Sequence, residues 1–483
     1  MSINPHLELL TFRRTKIVAT VGPRSRNAAT IRGLIETGVD VFRLNMSHGI
    51  HADHAEAIAH IRAGAAACRR HVGILADLCG PKIRTGRFAG AKVELSTGTR
   101  VVVTTRDVLG TAALIPSQYA ALPSDVRLGD RVLLNDGAVE LVVRDIAGTD
   151  VTCEVVSGGE VGDYKGINLP GVNVSAPSMS ARDIEDARFA LAQRVDFIAL
   201  SFVRTADDMT ALRALTEGDP NPPALIAKIE KPEALENIHE IIRAADGVLV
   251  ARGDLGVELN AEQVPHAQNA LIHLARVYDK PVIVATQMLE SMISHARPTR
   301  AEVTDVSCAV AEGTDAIMLS GETAVGEYPL EAVGMMVRIA HQTEAYQIQN
   351  RNAFSPLRVD RTQRVAFGDA IAHSVAQLAI EIGASAVVVI SMKGMTATTV
   401  SAARPVAPIV AITRYPETGR RLSLLWGVIP YVDPAVGDEN PNQVARRVAT
   451  TLGLVKPDDF IIVVRGFNAD PTLNTPTITL LKI

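Results

Sequence analysis

Short apolar runs that alternate with amphipathic stretches constrain the fold of this chain more than any other feature of its sequence. Each run is five to seven residues long, and turn or helix signals separate one run from the next. This rhythm is typical of strands that are each followed by a helix, and eight such units in about 330 residues predict an α/β fold, the (β/α)₈ or TIM barrel. The predicted strands cover residues 16–22, 41–45, 73–78, 196–202, 224–228, 247–252, 282–287 and 316–321.

One connection interrupts the rhythm. Between Arg84 and Pro177 the helical period disappears, and short alternating runs such as RVVVTT and VTCEVV take its place. This pattern predicts a small β-rich, barrel-like lid domain inserted after the third strand. Because it leaves and re-enters at the carboxyl end of a strand, it would lie over the face where such barrels carry their active sites.

A second α/β region follows the barrel. Strand-like runs such as SAVVVIS and DFIIVVRG alternate there with helical patterns, which predicts a separate open sheet. The predicted domains are residues 1–84 with 178–345 for the catalytic barrel, 85–177 for the inserted lid domain, and 346–483 for a C-terminal α/β domain with a regulatory or oligomerisation role.

Composition excludes several other classes of protein. The net charge of −5 argues against nucleic acid as a partner. The four cysteines are scattered without a CxxC pair, so neither a disulfide framework nor a zinc site is predicted. No apolar run has the length of a membrane span, and the first residues lack the apolar core of a signal peptide. We therefore expect a cytoplasmic protein without membrane contacts.

Polar residues at the ends of the predicted strands indicate the chemistry. In a parallel barrel these ends meet at one mouth. The carboxylates of Glu230 and Asp254 would form a hard-oxygen site suited to Mg²⁺, with Mn²⁺ as the alternative. Arginines and a lysine around that metal would suit an anionic, phosphorylated substrate. The residues gathered at the mouth are Arg43, Asn45, Ser47, His48, Asp77, Lys82, Arg84, Lys228, Glu230, Asp254, Thr286 and Glu322.

Each feature taken alone has a simpler interpretation. Lys228 with Glu230 could be a surface ion pair, and Asp254 could cap a helix. Thr286 could be a cap as well. The spacing of His51 and His54 resembles a metal motif, but zinc sites usually add cysteine or a nearby glutamate, so a helix-surface role is favoured for both. The convergence of several strands on one mouth favours the functional interpretation.

Several longer motifs resemble those of pyruvate kinases. They are RLNMSHG, GPKIRTG, AKIEKPEALENI, VARGDLGVEL, PVIVATQMLESM, RPTRAEVTDV and IMLSGETAVGEYPLEAV, which occur in the family's order through the whole barrel. The resemblance implies transfer of the phosphoryl group of phosphoenolpyruvate to ADP, giving pyruvate and ATP. It also implies a homotetramer.

The resemblance assigns roles to individual residues. Glu230 and Asp254 would hold Mg²⁺, and Gly253 would allow close approach of the substrate. Lys228 would stabilise the phosphoryl group in transfer, and Arg43 would anchor its oxygens. Thr286 would lie near the carbon that is protonated, relaying a proton through water.

Further residues are implied on the nucleotide side. His48, Arg84 and Lys165 would contact the nucleotide, and Arg84 is also counted among the catalytic residues. Asp136 of the insert would reach the site when the lid closes and water is excluded.

The chain departs from the family pattern at the K⁺ site. Many members hold K⁺ with four residues at the positions of Asn45, Ser47, Asp77 and Leu78, but position 78 lacks the usual threonine hydroxyl. Lys82 replaces a glutamate four residues later. Because a lysine brings its own ammonium group to that position, we predict that Lys82 fills it and that the enzyme does not require K⁺.

The C-terminal domain contains a candidate phosphate loop. The residues Ser391, Lys393, Gly394, Thr396 and Thr398 precede or begin a predicted helix, where a phosphorylated effector could bind. An unliganded turn is the alternative, because such Ser/Thr/Gly turns are common.

Two other functions remain open at this stage. A Mg²⁺-dependent aldolase would explain Glu230 and Asp254 but not the arginines or the insert. A non-enzymatic metabolite sensor is expected to have lost one of Lys228, Glu230, Asp254 or Thr286, and all four are present.

Overall fold

The computed structural model of this chain describes residues 10–350, 367–468 and 474–483. Its amino-terminal part contains the first three strands of a barrel and the helices between them. Each strand is short and largely buried, and each ends where the apolar run of the sequence ends. The elements are β1 (Lys16–Val21), α1 (Ala28–Thr37), β2 (Val41–Asn45), α2 (His51–Ala67) and β3 (Gly73–Asp77).

The β-rich insert follows β3, as predicted. A six-stranded sheet in the order β11-β7-β8-β9-β5-β6 and a two-stranded sheet of β10 and β4 share one apolar core. The elements are β4 (Lys92–Leu95), β5 (Arg100–Thr104), β6 (Leu114–Pro116), α3 (Leu122–Asp125), β7 (Arg131–Leu134), β8 (Val139–Ala147), β9 (Asp150–Ser157), β10 (Gly159–Gly162) and β11 (Ile167–Asn168).

The chain then re-enters the barrel at a helix whose amino terminus carries a capping box. Ser180 accepts a hydrogen bond from the backbone N–H of Asp183, whose carboxylate accepts one from the N–H of Ser180. Five more strands and their helices follow: α4 (Ala181–Ala192), β12 (Phe197–Leu200), α5 (Ala206–Leu215), β13 (Ala224–Ile229), α6 (Pro232–Glu236), α7 (Ile238–Ala244), β14 (Gly247–Ala251), α8 (Arg252–Glu258), α9 (Val264–Val277), β15 (Val282–Ala285), α10 (Arg300–Ala311), β16 (Ala316–Leu319), α11 (Gly321–Ala324) and α12 (Pro329–Gln349).

The eight parallel strands close into a barrel, which confirms the predicted (β/α)₈ fold. Successive side chains of a strand point to opposite faces, and both faces are covered here. Val18 lies in the cluster inside the barrel, whereas Ile17 and Ala19 pack outside it against the helices. Because the interior is filled, polar side chains can gather only at the two ends.

The last barrel helix continues beyond the predicted boundary at residue 345. Helix α12 ends at Gln349, and residues near its end still pack on the barrel. Glu344 accepts hydrogen bonds from the backbone N–H groups of Arg14 and Thr15, and Gln347 donates one to the carbonyl of Ala311. These contacts keep the helix intact past the predicted end.

The C-terminal domain is an open five-stranded sheet in the order β19-β18-β17-β20-β21, with helices beside it. Its last strand is antiparallel and was not predicted. The elements are α13 (Phe367–Glu381), β17 (Ala386–Ile390), α14 (Met395–Ala402), β18 (Ile409–Thr413), α15 (Pro416–Leu422), β19 (Val428–Val432), α16 (Pro441–Thr451), β20 (Phe460–Arg465) and β21 (Thr477–Lys482).

This domain is docked on the amino-terminal end of the barrel. The buried Arg404 forms a 2.8 Å ion pair with Asp315, the residue just before β16. The same aspartate accepts a hydrogen bond from the backbone N–H of Trp426 at 3.1 Å. Leu424 belongs to the apolar cluster of the barrel interior. The interface therefore lies opposite the mouth.

A pair of carboxyl groups also lies at this interface. Burial and the neighbouring, hydrogen-bonded Asp369 raise the pKa of Asp279 to about 7, although Thr399 and Lys280 act in the opposite direction. Since the folded state binds this proton more tightly than the unfolded state, the stability that it contributes is present at pH 4 and is lost as the pH rises to 7.

The Asp279→Asn variant is expected to lack this dependence, because an amide does not titrate. Between pH 4 and 7 the free energy of unfolding of the wild type should fall relative to the variant by about 1–3 kcal/mol. Thermal unfolding of both proteins across this range measures the difference. Asp438→Asn, at a carboxylate that is 75% exposed, is the control. Parallel pH profiles of wild type and Asp279→Asn would contradict the assignment.

Among the described residues, no helix combines the length and the apolar character needed to cross a membrane.

Candidate active site

The floor of the mouth is built around the buried carboxylate of Asp77. Arg43 donates from Nε to Oδ2 at 2.6 Å, and Lys228 Nζ lies 3.2 Å from Oδ1. Burial by itself would raise the pKa of Asp77, but Lys228 and Arg43 outweigh it and lower the pKa. Asp77 therefore stays ionised and holds two cations, one from β2 and one from β13, which lie on either side of its own strand.

Lys228 is the most enclosed cation of the mouth. Besides Asp77, its ammonium group contacts Oε1 of Glu230 at 3.1 Å and Oγ of Ser201 at 2.5 Å. Burial acts to lower the pKa of Lys228, but Asp77 and Glu230 outweigh it and raise the pKa. The lysine thus carries a full charge in a site that excludes most water, where charge stabilisation is strong.

Glu230 and Asp254 lie beside this lysine on neighbouring elements. Glu230 follows β13, and its Oε2 accepts a hydrogen bond from the N–H of Phe202 at 2.7 Å. Burial raises the pKa of Glu230, Lys228 opposes this, and the charge of Asp254 adds to the rise. A cation between the two carboxylates would relieve this cost.

The residues present therefore fit a magnesium ion. Asp254 lies in the first turn of α8, with its side chain 26% exposed at the mouth. In the described parts of the chain, no group of three or more His, Cys, Asp or Glu residues could hold a metal. Mg²⁺ is commonly held by one or two carboxylates with water and substrate oxygens in its other positions. The Glu230–Asp254 pair matches that pattern.

Thr286 adopts a strained backbone at the end of β15. Its φ is 71°, in the left-handed region that β-branched residues rarely adopt. Its hydroxyl donates to the carbonyl of Ala285 at 2.6 Å and accepts from the N–H of Gly253 at 2.7 Å. The N–H of Gly253, the residue predicted to allow close substrate approach, is therefore engaged within the protein.

Arg252 holds this strained turn in place, and sequence reasoning missed it. Its guanidinium donates to the carbonyl of Thr286 at 2.7 Å and pairs with Asp305 at 2.6 Å. Ser201 was missed as well, although it follows β12 directly and so matches the strand-end signal used for the other strands. It accepts from Lys228 and donates to the carbonyl of Leu78 at 2.7 Å.

The predicted nucleotide-side residues lie at the outer rim of the mouth. His48 and Lys165 are exposed, and Arg84 donates to the carbonyl of Tyr164 at 3.2 Å next to Lys165. Burial lowers the pKa of His48. Several nearby cations lower it further, and Arg84 has the largest effect among them. This rim of positive charge is suited to phosphates.

Asp136 of the insert faces the same rim. It occupies the turn between β7 and β8 with a φ of 55°. Gly166 lies close to both Asp136 and Lys82. A Cβ atom added to this glycine would be 3.6 Å from Oδ1 of Asp136 and 3.4 Å from Cε of Lys82. Asp136 and Lys82 thus both lie next to Gly166, and the approach of Asp136 to the site on lid closure stays a prediction.

Lys82 lies elsewhere than the K⁺ prediction expects. Its ion pair joins Nζ to Oδ1 of Asp254 at 3.5 Å, and Asp77 instead pairs with Arg43 and Lys228. The charge of Asp77 is therefore already balanced without Lys82. The positive charge of Lys82 lies instead beside Asp254, one of the two predicted metal ligands.

The other residues of the predicted K⁺ position are engaged within the protein. The side-chain oxygen of Asn45 accepts from the N–H of Ser47 at 3.2 Å, and the carbonyl of Leu78 accepts from Ser201.

The two histidines with metal-like spacing have the predicted surface role on α2. His51 pairs with Asp186 at 2.6 Å and stacks on Phe189, and His54 contacts the carbonyl of His48 at 2.9 Å. These contacts are structural.

The candidate phosphate loop precedes α14 in the C-terminal domain. Gly394 has a φ of 95° and accepts a hydrogen bond from the hydroxyl of Thr398 at 3.1 Å. Lys393 is exposed, whereas Ser391 and Thr396 are buried. Binding of a phosphate here stays a prediction.

Comparison with known proteins decides the family. The family model "Pyruvate kinase, barrel domain" matches residues 12–333, and "Pyruvate kinase, alpha/beta domain" matches residues 369–479. The chain belongs to the pyruvate kinase family.

Individual relatives agree with this assignment. A pyruvate kinase of Mycobacterium intracellulare is 44% identical over 94% of this chain and 95% of its own length. One of Geobacillus stearothermophilus is 42% identical over 98% of this chain and 80% of its own. A crystal structure of a pyruvate kinase from Cryptosporidium parvum matches with a TM-score of 0.88 at 37% identity, covering 97% of this chain and 96% of that one. As a pyruvate kinase, the protein is a phosphotransferase.

Proposed function

We propose that this enzyme transfers the phosphoryl group of phosphoenolpyruvate to ADP, giving pyruvate and ATP, with Mg²⁺ held by Glu230 and Asp254 and with Mn²⁺ as a possible substitute. The family implies these substrates and products. The observation that carries the proposal is the buried ammonium group of Lys228 between Asp77 and Glu230, beside Arg43.

Each residue of the mouth then has a defined task. Arg43 binds phosphoryl oxygens through the part of its guanidinium that Asp77 leaves free, and Lys228 offsets the charge that moves between donor and acceptor oxygens. When bound, Mg²⁺ supplies positive charge that orients the phosphate and carboxylate oxygens of the substrates. His48, Arg84 and Lys165 bind the nucleotide phosphates.

Proton delivery follows phosphoryl transfer in this proposal. Transfer breaks the bond between phosphorus and the enol oxygen and leaves the enolate of pyruvate. The hydroxyl of Thr286 relays a proton from solvent water to the methylene carbon of this enolate. Asp136 approaches with the insert and helps to exclude water that would hydrolyse the donor.

We further propose that the enzyme works without added K⁺. The support is charge balance: Asp77 is matched by Arg43 and Lys228, Leu78 lacks a hydroxyl, and Lys82 adds a positive charge next to Asp254. A monovalent cation would add little to this arrangement.

A coupled assay of pyruvate formation tests both proposals. It is run with Mg²⁺ in tetramethylammonium buffer free of Na⁺ and K⁺, and again with K⁺ added. The wild type is expected to be equally active in both. Lys82→Glu should lose at least about tenfold in kcat/KM without K⁺ and regain part of it with K⁺. The substitution replaces a positive by a negative charge at the mouth, and K⁺ can balance part of that change.

The matched control is Lys92→Glu, which makes the same charge change at an exposed lysine of the insert. It should behave as the wild type does. Activity of the wild type only with K⁺ would end the K⁺ proposal and leave the reaction intact. No pyruvate in either buffer would end the reaction proposal and favour a metabolite sensor.

Assembly, location and regulation also belong to this proposal. We propose a cytoplasmic homotetramer whose loop at Ser391, Lys393, Gly394, Thr396 and Thr398 binds a phosphorylated effector. Light scattering after size exclusion tests the assembly. Repeating the coupled assay with sugar phosphates and nucleoside monophosphates tests the loop.

A further inference from the structure

A second carboxylate on α8 is buried near the mouth without a part in the proposed mechanism. Glu258, at the end of α8, has a side chain that is only 1% exposed. Its Oε1 accepts a hydrogen bond from Nζ of Lys231 at 2.5 Å and another from Nδ2 of Asn168 at 2.9 Å. Its Oε2 has no hydrogen-bond partner among the described residues. Even a buried ion pair is held at a cost in desolvation, so this arrangement requires a reason.

The Lys231–Glu258 pair lies next to the predicted metal pair along the chain. Glu230 and Lys231 are consecutive residues after β13. Asp254 and Glu258 are four residues apart on α8, and so lie on one face of that helix. The Glu230–Asp254 pair and the Lys231–Glu258 pair thus join the same two elements. The second pair therefore ties together the two segments that carry the predicted metal ligands.

Asn168 brings the insert into this connection. It is the last residue of β11, and its amide nitrogen is the contact of the insert with Glu258. The turn of the insert that carries Asp136 also lies close to α8. A Cβ atom added to Gly137 in that turn would be 3.6 Å from the side chain of Val257. A hydrogen bond to a carboxylate is stronger than one between neutral groups. The insert is therefore joined to α8 by a hydrogen bond to a charged group.

We infer that Glu258 is a positioning residue for phosphoryl transfer, holding the insert through Asn168 to the two elements that carry Glu230 and Asp254. The inference rests on the proposed function for its kinetic consequence. The contact itself is a property of the fold that can be measured without turnover.

A double-mutant cycle tests this inference. Asn168→Asp places two carboxylates against each other, and Glu258→Gln leaves Lys231 without its charged partner. The double variant Asn168→Asp/Glu258→Gln exchanges the two groups, so the amide–carboxylate contact and the total charge are kept. Lys231 and Asn168 contact the same oxygen of Glu258, so the exchanged carboxylate stays in the neighbourhood of the lysine. Glu140→Gln, which breaks an exposed ion pair with Arg131 inside the insert, is the matched control.

Two measurements are made on the full-length proteins. The first is kcat and KM for phosphoenolpyruvate. The second is hydrogen exchange of α8 and of residues 159–168 in the presence of Mg²⁺ and phosphoenolpyruvate. Each single variant is expected to lose at least about tenfold in kcat/KM and to exchange faster in both segments, because a buried charged contact is removed. The double variant should recover to within about threefold of the wild type.

A contact that only stabilises the fold would leave kcat and KM of the folded single variants close to those of the wild type. Single variants that exchange as the wild type does, or a double variant whose losses multiply, would overturn the inference. If the wild type formed no pyruvate, the reaction proposal would fail, and the exchange rates alone would decide whether Glu258 holds the insert.

Discussion

Replacement of Lys228 by methionine is expected to lower kcat by about 10³–10⁵-fold. In the proposed reaction its ammonium group offsets charge on the phosphoryl group in transfer, and its buried position makes that charge effective. Methionine keeps much of the side-chain volume and removes the charge. Steady-state kinetics at saturating substrate measure the loss.

The same change is expected to lower the free energy of unfolding by about 3–5 kcal/mol. Asp77 and Glu230 would remain buried, and Arg43 alone would face Asp77. Calorimetry at neutral pH measures this part of the effect. Activity must therefore be assayed at a temperature where the variant is folded.

Lys16→Met separates the two effects. Lys16 is also a buried barrel lysine, but it lies at the opposite end, where it donates to the carbonyl of Val428 at 2.6 Å. Burial lowers its pKa to about 8. This variant should lose stability and keep its kcat. If Lys228→Met retained kcat within tenfold, the role proposed for Lys228 would be wrong.

The second large effect is expected at the interface between the barrel and the C-terminal domain. Arg404→Met should lower the free energy of unfolding by about 3–5 kcal/mol, because Asp315 would stay buried without its charged partner. The backbone N–H groups of Val282 and Trp426 would be its remaining donors. Calorimetry measures the change.

Trp426 offers a direct optical measure of the same interface. It is the single tryptophan of the chain, it is buried, and the Arg404 guanidinium lies 5.2 Å from its ring centroid. Loosening of the domains should shift its emission to longer wavelength. Arg414→Met, which breaks an exposed pair with Asp438, is the control and should cost at most about 1 kcal/mol. If both variants lost the same free energy of unfolding, the buried Arg404–Asp315 pair would not contribute more than an exposed pair, and the prediction would be wrong.

Much of the fold was predictable because barrel strands are buried on both faces. Such strands are continuous apolar runs, and the runs at residues 41–45 and 247–252 match β2 and β14 to within one residue. The final strand β21 was missed. Its sequence TITLLK is largely exposed at the edge of a sheet, so it lacks that signal.

The membership of the site was also readable from the sequence. Parallel strands bring their carboxyl ends together, so a polar residue at a strand end is a candidate wherever it occurs. Lys228, Glu230 and Asp77 were found in this way, and their convergence is a property of the strand order alone.

The pairing within the site was decided only by the tertiary structure. Sequence reasoning placed Lys82 at the K⁺ position, yet Arg43 and Lys228 balance Asp77, and Lys82 pairs with Asp254. In the same way, nothing along the chain indicates that Glu258 joins Lys231 to Asn168. The sequence by itself indicated most of the side chains that reach the mouth, although Ser201 and Arg252 were missed, because the end of a strand can be read locally. Which charges neutralise one another depends on distances between remote segments and on competition among several partners, and only the folded chain sets these.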